Sequence, residues 1–166
     1  MSSSPLTVAD EDATDYSVPR WAMVITLALS VIGVCLSTYL TITHFQPGAL
    51  VCTDKGFVNC AKVTTSSESY LFHIPVAILG LATYLVMTGL NTPWAWRAKA
   101  RWVHLARFGL GIVSMGFVLW LLYAELIIIG NICLYCTGVH ITTFLLFIVL
   151  VMVCPTQLGW TRSRSS

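Results

Sequence analysis

Apolar residues gather along this chain in four long runs, at about 21–45, 73–92, 104–130 and 131–154, with polar stretches between and outside them. Each run reaches the roughly 20 residues that a helix needs to cross the hydrocarbon core of a bilayer. The pattern predicts four membrane-spanning helices and an all-α integral membrane protein. The third and fourth runs are nearly fused, and Gly130-Asn131 is the only break between them. A continuous helix through both would be about 75 Å long at 1.5 Å per residue, too long for one crossing, so the chain must turn there. Pro75 stands where a helix-starting proline belongs if the second helix begins near Ile74. Ala106, Gly109 and Gly116 fall on one stripe of the third helix, which would allow either close helix–helix approach or local flexibility.

The chain divides into a polar tail at 1–20, a membrane domain at 21–154 with a long loop at 46–72, and a short tail at 155–166. The first tail carries Asp10, Glu11, Asp12 and Asp15 with a single Arg20, and reads as disordered. It lacks the basic start of a signal peptide, and the run after it is too long for one. Composition agrees with a bilayer: 57% of the 166 residues are hydrophobic and only 10% charged, where a soluble domain carries about 25% charged residues. The net charge of +2 says little, but its distribution sets a topology. The link between the second and third runs has Arg97, Lys99, Arg101 and, just inside the third run, Arg107, with no acid; Arg162 and Arg164 lie in the C-terminal tail. The loop at 46–72 balances Lys55 and Lys62 with Asp54 and Glu68. By the positive-inside rule the basic link and both termini are cytoplasmic. Trp21, Trp94, Trp96, Trp102 and Trp160 then fall near the inner interface as an aromatic belt.

This topology puts the long loop and the Gly130-Asn131 turn on the same extracytoplasmic side, where disulfides persist. Four of the six cysteines lie there: Cys52 and Cys60 in the loop, Cys133 and Cys136 as a C-x-x-C motif opening the fourth run. Cys35 and Cys154 lie elsewhere and read as packing residues. At helical spacing Cys133 and Cys136 share a face, with Asn131 as a candidate N-cap. A thiol in a first helical turn sits beside unpaired N–H groups and the positive end of the dipole, which favour the nucleophilic thiolate. Two pairs admit a structural staple, a four-cysteine zinc site or an electron relay. The spacing of Cys52 and Cys60 is loose for zinc, and a staple leaves the C-x-x-C unexplained. A relay accounts for both pairs, through mixed disulfides that end at a lipid-soluble acceptor such as a quinone. Glu125 is the only acidic side chain inside a predicted span, either a proton relay or a side chain reaching the interface. His140, four residues after Cys136, is either a donor to a quinone carbonyl or a packed histidine. Ser66 is a candidate helix cap. His44 and His73 read as interface residues and His104 as a cytoplasmic one.

Over 38–150 the sequence resembles the vitamin K epoxide reductase family in its bacterial form. The resemblance rests on Cys52 and Cys60, Ser66 six residues later, Ile74-Pro75-Val76-Ala77, Glu125-Leu126, the segment Ile132-Cys133-Leu134-Tyr135-Cys136, and His140. It implies a four-helix bundle around a quinone pocket open to the extracytoplasmic side. It implies that Cys52 exchanges with a thioredoxin-fold partner, that Cys60 passes electrons to Cys133, and that Cys136 faces the quinone. Ser66 matches a pocket-lining serine, and His140 stands where animal members carry a tyrosine near the quinone. Many bacterial members carry a fused thioredoxin-like domain after the bundle. None follows here, so a separate DsbA-like protein is the expected partner. The DsbB type of thiol oxidase is also tetraspan, but places its C-x-x-C near the end of the second helix, unlike this chain. The expectation is a multi-pass protein of the inner or plasma membrane that oxidises a thioredoxin-fold donor. Its co-substrate would be a quinone (menaquinone, ubiquinone or phylloquinone), with no metal and no nucleic acid. The alternatives are a vitamin K quinone or epoxide reductase and a non-enzymatic tetraspan scaffold with structural disulfides.

Overall fold

In the computed structural model the described residues are 18–52, 56–71, 73–98 and 100–157. The expectations about the tails at 1–17 and 158–166, and about Asp54, Lys55 and Lys99, lie outside them. Helix α1, Arg20–Phe45, turns an unusual stripe inward: Ala22, Thr26, Ser30, Gly33, Ser37, Leu40 and Thr43 are its buried residues. Val24, Ile25, Val31 and Ile32 face outward. In lipid there is no water to drive large apolar side chains inward, so small residues that admit close approach take the interior. The hydroxyls need no outside partner: Thr26 donates to the Ala22 carbonyl at 2.8 Å and Ser30 to that of Thr26 at 2.7 Å.

After α1 comes the loop with the five-residue helix α2, Cys60–Thr64, and a small hairpin of β1, Tyr70–Leu71, and β2, Ile74–Pro75. The pairs are Tyr70 with Pro75 and Leu71 with Ile74, and His73 takes a positive φ of 67° in the turn. Helix α3 spans Val76–Leu90, shorter than the expected run at 73–92. Its first apolar residues are used in the hairpin, and Pro75 is the extended residue before the helix rather than its first turn. Helix α4, Pro93–Trp96, is capped by Thr92, whose hydroxyl accepts from the Ala95 N–H at 3.3 Å. Helix α5, Arg101–Tyr123, runs on into a π-helical turn, Ala124–Ile129, closed by Gly130 in the left-handed region. Helix α6 begins at Leu134 and reaches Gln157. Among the described residues three helical stretches are long and apolar enough to cross a membrane, Arg20–Phe45, Arg101–Ile129 and Leu134–Cys154, beside the shorter apolar α3. The chain is a helical membrane protein.

Helix α1 packs on α3 and α6, and α5 packs on α6. A Cβ at Gly33 would overlap the ring of Tyr84, and one at Gly111 would press on Leu150 at 3.1 Å. The expected stripe of Ala106, Gly109 and Gly116 is not a packing face: Ala106 is exposed and added Cβ atoms at the two glycines would meet nothing. Cys35 lies on the outer face of α1, not in the core, while Cys154 is fully buried.

The end of the bundle opposite the long loop holds a buried cation. Arg107 is 0% exposed. It donates from Nε and Nη2 to the Leu90 carbonyl, left free at the end of α3, and from Nη1 to His104 Nδ1 at 3.1 Å. Its guanidinium lies 3.6 Å from the centre of the Trp96 ring. Trp96 and His104 are therefore buried, unlike the exposed Trp21, Trp94 and Trp102.

Candidate active site

Cys52 and Cys60 form a disulfide, while Cys133 and Cys136 are free thiols. Two tyrosines hold the backbone just before Cys52. Tyr39 of α1 accepts from the Val51 N–H at 2.9 Å and Tyr135 of α6 donates to the Val51 carbonyl at 2.9 Å, with their rings 4.5 Å apart. The backbone just before Cys60 is held to the backbone just before Cys133. Val58 and Ile132 form a parallel bridge, with Asn59 N–H donating to the Ile132 carbonyl at 3.1 Å and Ile132 N–H to that of Phe57 at 3.0 Å. Cys133 follows directly on that bridge and Cys60 stands one residue further on, after Asn59, and the two are fully buried in one cluster with Leu40 and Val63. Cys52 and Cys136 pack at its margin.

Asn59 caps α2 by accepting from the Lys62 N–H at 2.8 Å. Asn131 does not cap α6. Its amide donates to the Phe57 carbonyl at 3.3 Å and its oxygen accepts from Lys62 Nζ at 2.6 Å. The cap of α6 is Cys133 itself, whose sulfur accepts from the Cys136 N–H at 3.3 Å and whose carbonyl accepts from Thr137 N–H at 2.9 Å. The hydrogen bond from the Cys136 thiol, more than any other influence, holds the Cys133 thiol below the usual range for cysteine.

Glu125 is buried in the π-helical turn, in hydrogen-bonding reach of the Cys136 thiol and the Cys133 backbone N–H. Such turns recur at functional sites because they break the regular ladder. Glu125, Cys136, His140 and Ser66 all line one cavity of about 470 Å³, within the usual range of ligand pockets. Cys52, Cys60 and Cys133 lie outside its lining. The Ser66 hydroxyl makes no cap bond and donates to the Val63 carbonyl at 2.8 Å. His140 is buried, and its Nδ1 has no partner. Walls such as Leu79, Phe117 and Val118 are apolar. Among the described residues no group of three or more His, Cys, Asp or Glu side chains could hold a metal.

Sequence reasoning passed over Tyr84, Tyr39, Tyr135 and Lys62. Tyr84 lines the cavity, and its hydroxyl is 2.7 Å from that of Thr143. Only Tyr135 carried a local signal, its place between the two cysteines of the motif. A family model described as the vitamin K epoxide reductase family matches residues 24–151.

Proposed function

The chain belongs to the vitamin K epoxide reductase family, and on that premise we propose that it is a membrane thiol:quinone oxidoreductase supporting disulfide formation in exported proteins. Family membership carries membrane disulfide and quinone redox chemistry. The donor in this reading is a separate, reduced thioredoxin-fold protein of the DsbA-like kind. The four long apolar segments cross the plasma membrane, with the redox loop on the extracytoplasmic face and both termini in the cytoplasm. The basic link through Arg97 and Arg101, at the end of the bundle away from the two cysteine pairs, supports that orientation.

One observation carries the reading: a loop disulfide lies against a C-x-x-C pair whose second thiol, with Glu125, opens on an apolar cavity. Cys60 is buried and Cys52 stands at the margin, so Cys52 takes the partner's thiolate and Cys60 leaves as a thiolate. The partner's second thiolate then releases it as a disulfide, and Cys52 and Cys60 hold two electrons. Next, the Cys60 thiolate attacks Cys133 of the oxidised buried pair and Cys136 leaves. Cys52 attacks Cys60, restoring the loop disulfide and freeing Cys133. A bound quinone supplies the two-electron, two-proton sink for the buried dithiol. Glu125 moves a proton between the Cys136 sulfur and the cavity, and His140 offers a ring nitrogen to a carbonyl there.

Purified protein, a reduced thioredoxin-fold donor and a quinone followed optically test the scheme. Quinone reduction should require the donor and vanish in Cys136→Ser. Glu125→Gln should slow it by about 10²–10⁴-fold, the range for a general acid–base group, while partner oxidation by Cys52–Cys60 in a single turnover persists. Quinone reduction persisting in Cys136→Ser would remove that thiol from the chemistry.

A further inference from the structure

Lys62 lies on the surface, two residues after Cys60, yet its ammonium is engaged in long-range bonds. It donates to the Ile129 carbonyl at 3.1 Å and to Asn131 Oδ1 at 2.6 Å. Ile129 ends the π-helical turn, so its carbonyl is one of those a helix end leaves without a partner, at the negative end of the dipole. Asn131 in turn donates to the Phe57 carbonyl at 3.3 Å, back on the loop. The side chains thus span the same seam as the Val58–Ile132 bridge, from the outside.

The helix they hold needs holding. A helix of five residues has no stability of its own, so the position of α2 depends on its tethers. Cys60 is its first residue, and Cys133 is the second residue after Asn131. A slip of the seam by one residue would carry the Cys60 sulfur away from Cys133. We propose that Lys62, acting through Ile129 and Asn131, is a positioning residue that keeps Cys60 in register with Cys133 for thiol–disulfide exchange between the two pairs. The proposal deepens the relay described above and rests on it for its biological meaning, but its geometry is testable apart from the relay.

In a Cys52→Ser/Cys136→Ser protein, Cys60 and Cys133 are the only redox-site cysteines left. Diamide, a thiol oxidant, takes two electrons and two protons from them and leaves a Cys60–Cys133 bond. Its rate of formation, read by non-reducing peptide mapping, needs neither quinone nor partner. Lys62→Met in that background should slow the bond by roughly 10- to 100-fold, the worth of one hydrogen bond to a charged group. Asn131→Leu should slow it as well, and Lys62→Arg should restore most of the rate. With all four cysteines present, Lys62→Met should lower quinone reduction driven by the thioredoxin-fold donor. Reduction driven by a small dithiol acting directly on Cys133–Cys136 should stay unchanged. An unchanged bond-forming rate in Lys62→Met would overturn the proposal. So would an equal loss with the small dithiol, which would place the effect on the buried pair or the fold. Bond-forming rates as expected in the double-serine proteins, together with no quinone reduction by the four-cysteine protein, would defeat the redox reading and leave the positioning role standing.

Discussion

Cys133 and Cys136 are the same residue three positions apart, but their surroundings divide the work. Cys133 caps α6 with its sulfur and receives hydrogen bonds from the Cys136 thiol and backbone N–H. Cys136 instead borders Glu125 and the cavity. In the reduced protein Cys133 is therefore the thiolate-bearing member, facing the loop. Its lowered pKa means that the reactive anion is present at pH values where an ordinary cysteine is still protonated. The pH dependence of Cys133 alkylation in the reduced protein should have its midpoint below the ordinary thiol range. Cys136→Ala deletes the thiol donor and should move that midpoint upward, and Cys136→Ser, which keeps a hydroxyl donor, should move it less. A midpoint indifferent to both changes would mean that the cap, not the neighbouring thiol, sets the reactivity.

Elements were legible in the sequence wherever length and hydropathy alone decide. The long apolar runs that become α1, α5 and α6 stand out for that reason. Their edges did not, because the deciding partners are distant in sequence. Ile74 and Pro75 read as part of the second apolar run until their pairing with Leu71 and Tyr70 across a turn is known. Asn131 has the chemistry of a helix cap, and loses that place because Lys62, 69 residues away, competes for its oxygen. Arg107 read as one of the charges of the cytoplasmic basic link because nothing local reveals that the Leu90 carbonyl waits for it 17 residues earlier. The π-helical turn at Glu125 has no sequence mark at all. For the site, residue chemistry singled out the cysteines, Glu125 and His140, the family resemblance added Ser66, and what each does is the proposal set out above. The tethers that arrange them were invisible because hydroxyl-to-backbone and lysine-to-carbonyl bonds leave no spacing pattern. At this scale the tightest contact gives a clear expectation. Gly33 faces the Tyr84 ring, which in turn bonds to α6 through the Val139 carbonyl at 3.2 Å. Gly33→Ala should destabilise the bundle by about 1–3 kcal/mol, as overpacking does. Thermal unfolding in detergent measures it, and Tyr84→Ala in the same chain should recover part of the loss.

For the whole molecule, the two ends of the bundle are chemically unlike. One carries Cys52, Cys60, Cys133, Cys136 and the hairpin, the other the Arg107 cluster and the basic link. Variants with a single reporter cysteine, at Cys52 or in place of Arg97, test the proposed orientation in intact cells. A membrane-impermeant maleimide should label the first and spare the second, and the reverse pattern would invert the molecule.

Helix α3 has only 15 residues, so it reaches roughly 22 Å at the helical rise. Its partners α1, α5 and α6 are longer, with the Arg107 clamp closing one end of it and the hairpin the other. The hydrocarbon beside α3 is about 30 Å deep in an average bilayer, and each ångström of mismatch costs a fraction of a kcal/mol. In the proposed four-crossing arrangement the lipid thins along the α3 flank of the protein and not the others. Reconstituted in phosphatidylcholines of increasing acyl length, the protein should be most resistant to thermal unfolding in the shorter chains. In the longest it should crowd toward other copies to share the compressed annulus. Bilayer depth then becomes a selector of where in a patchy membrane this redox site resides.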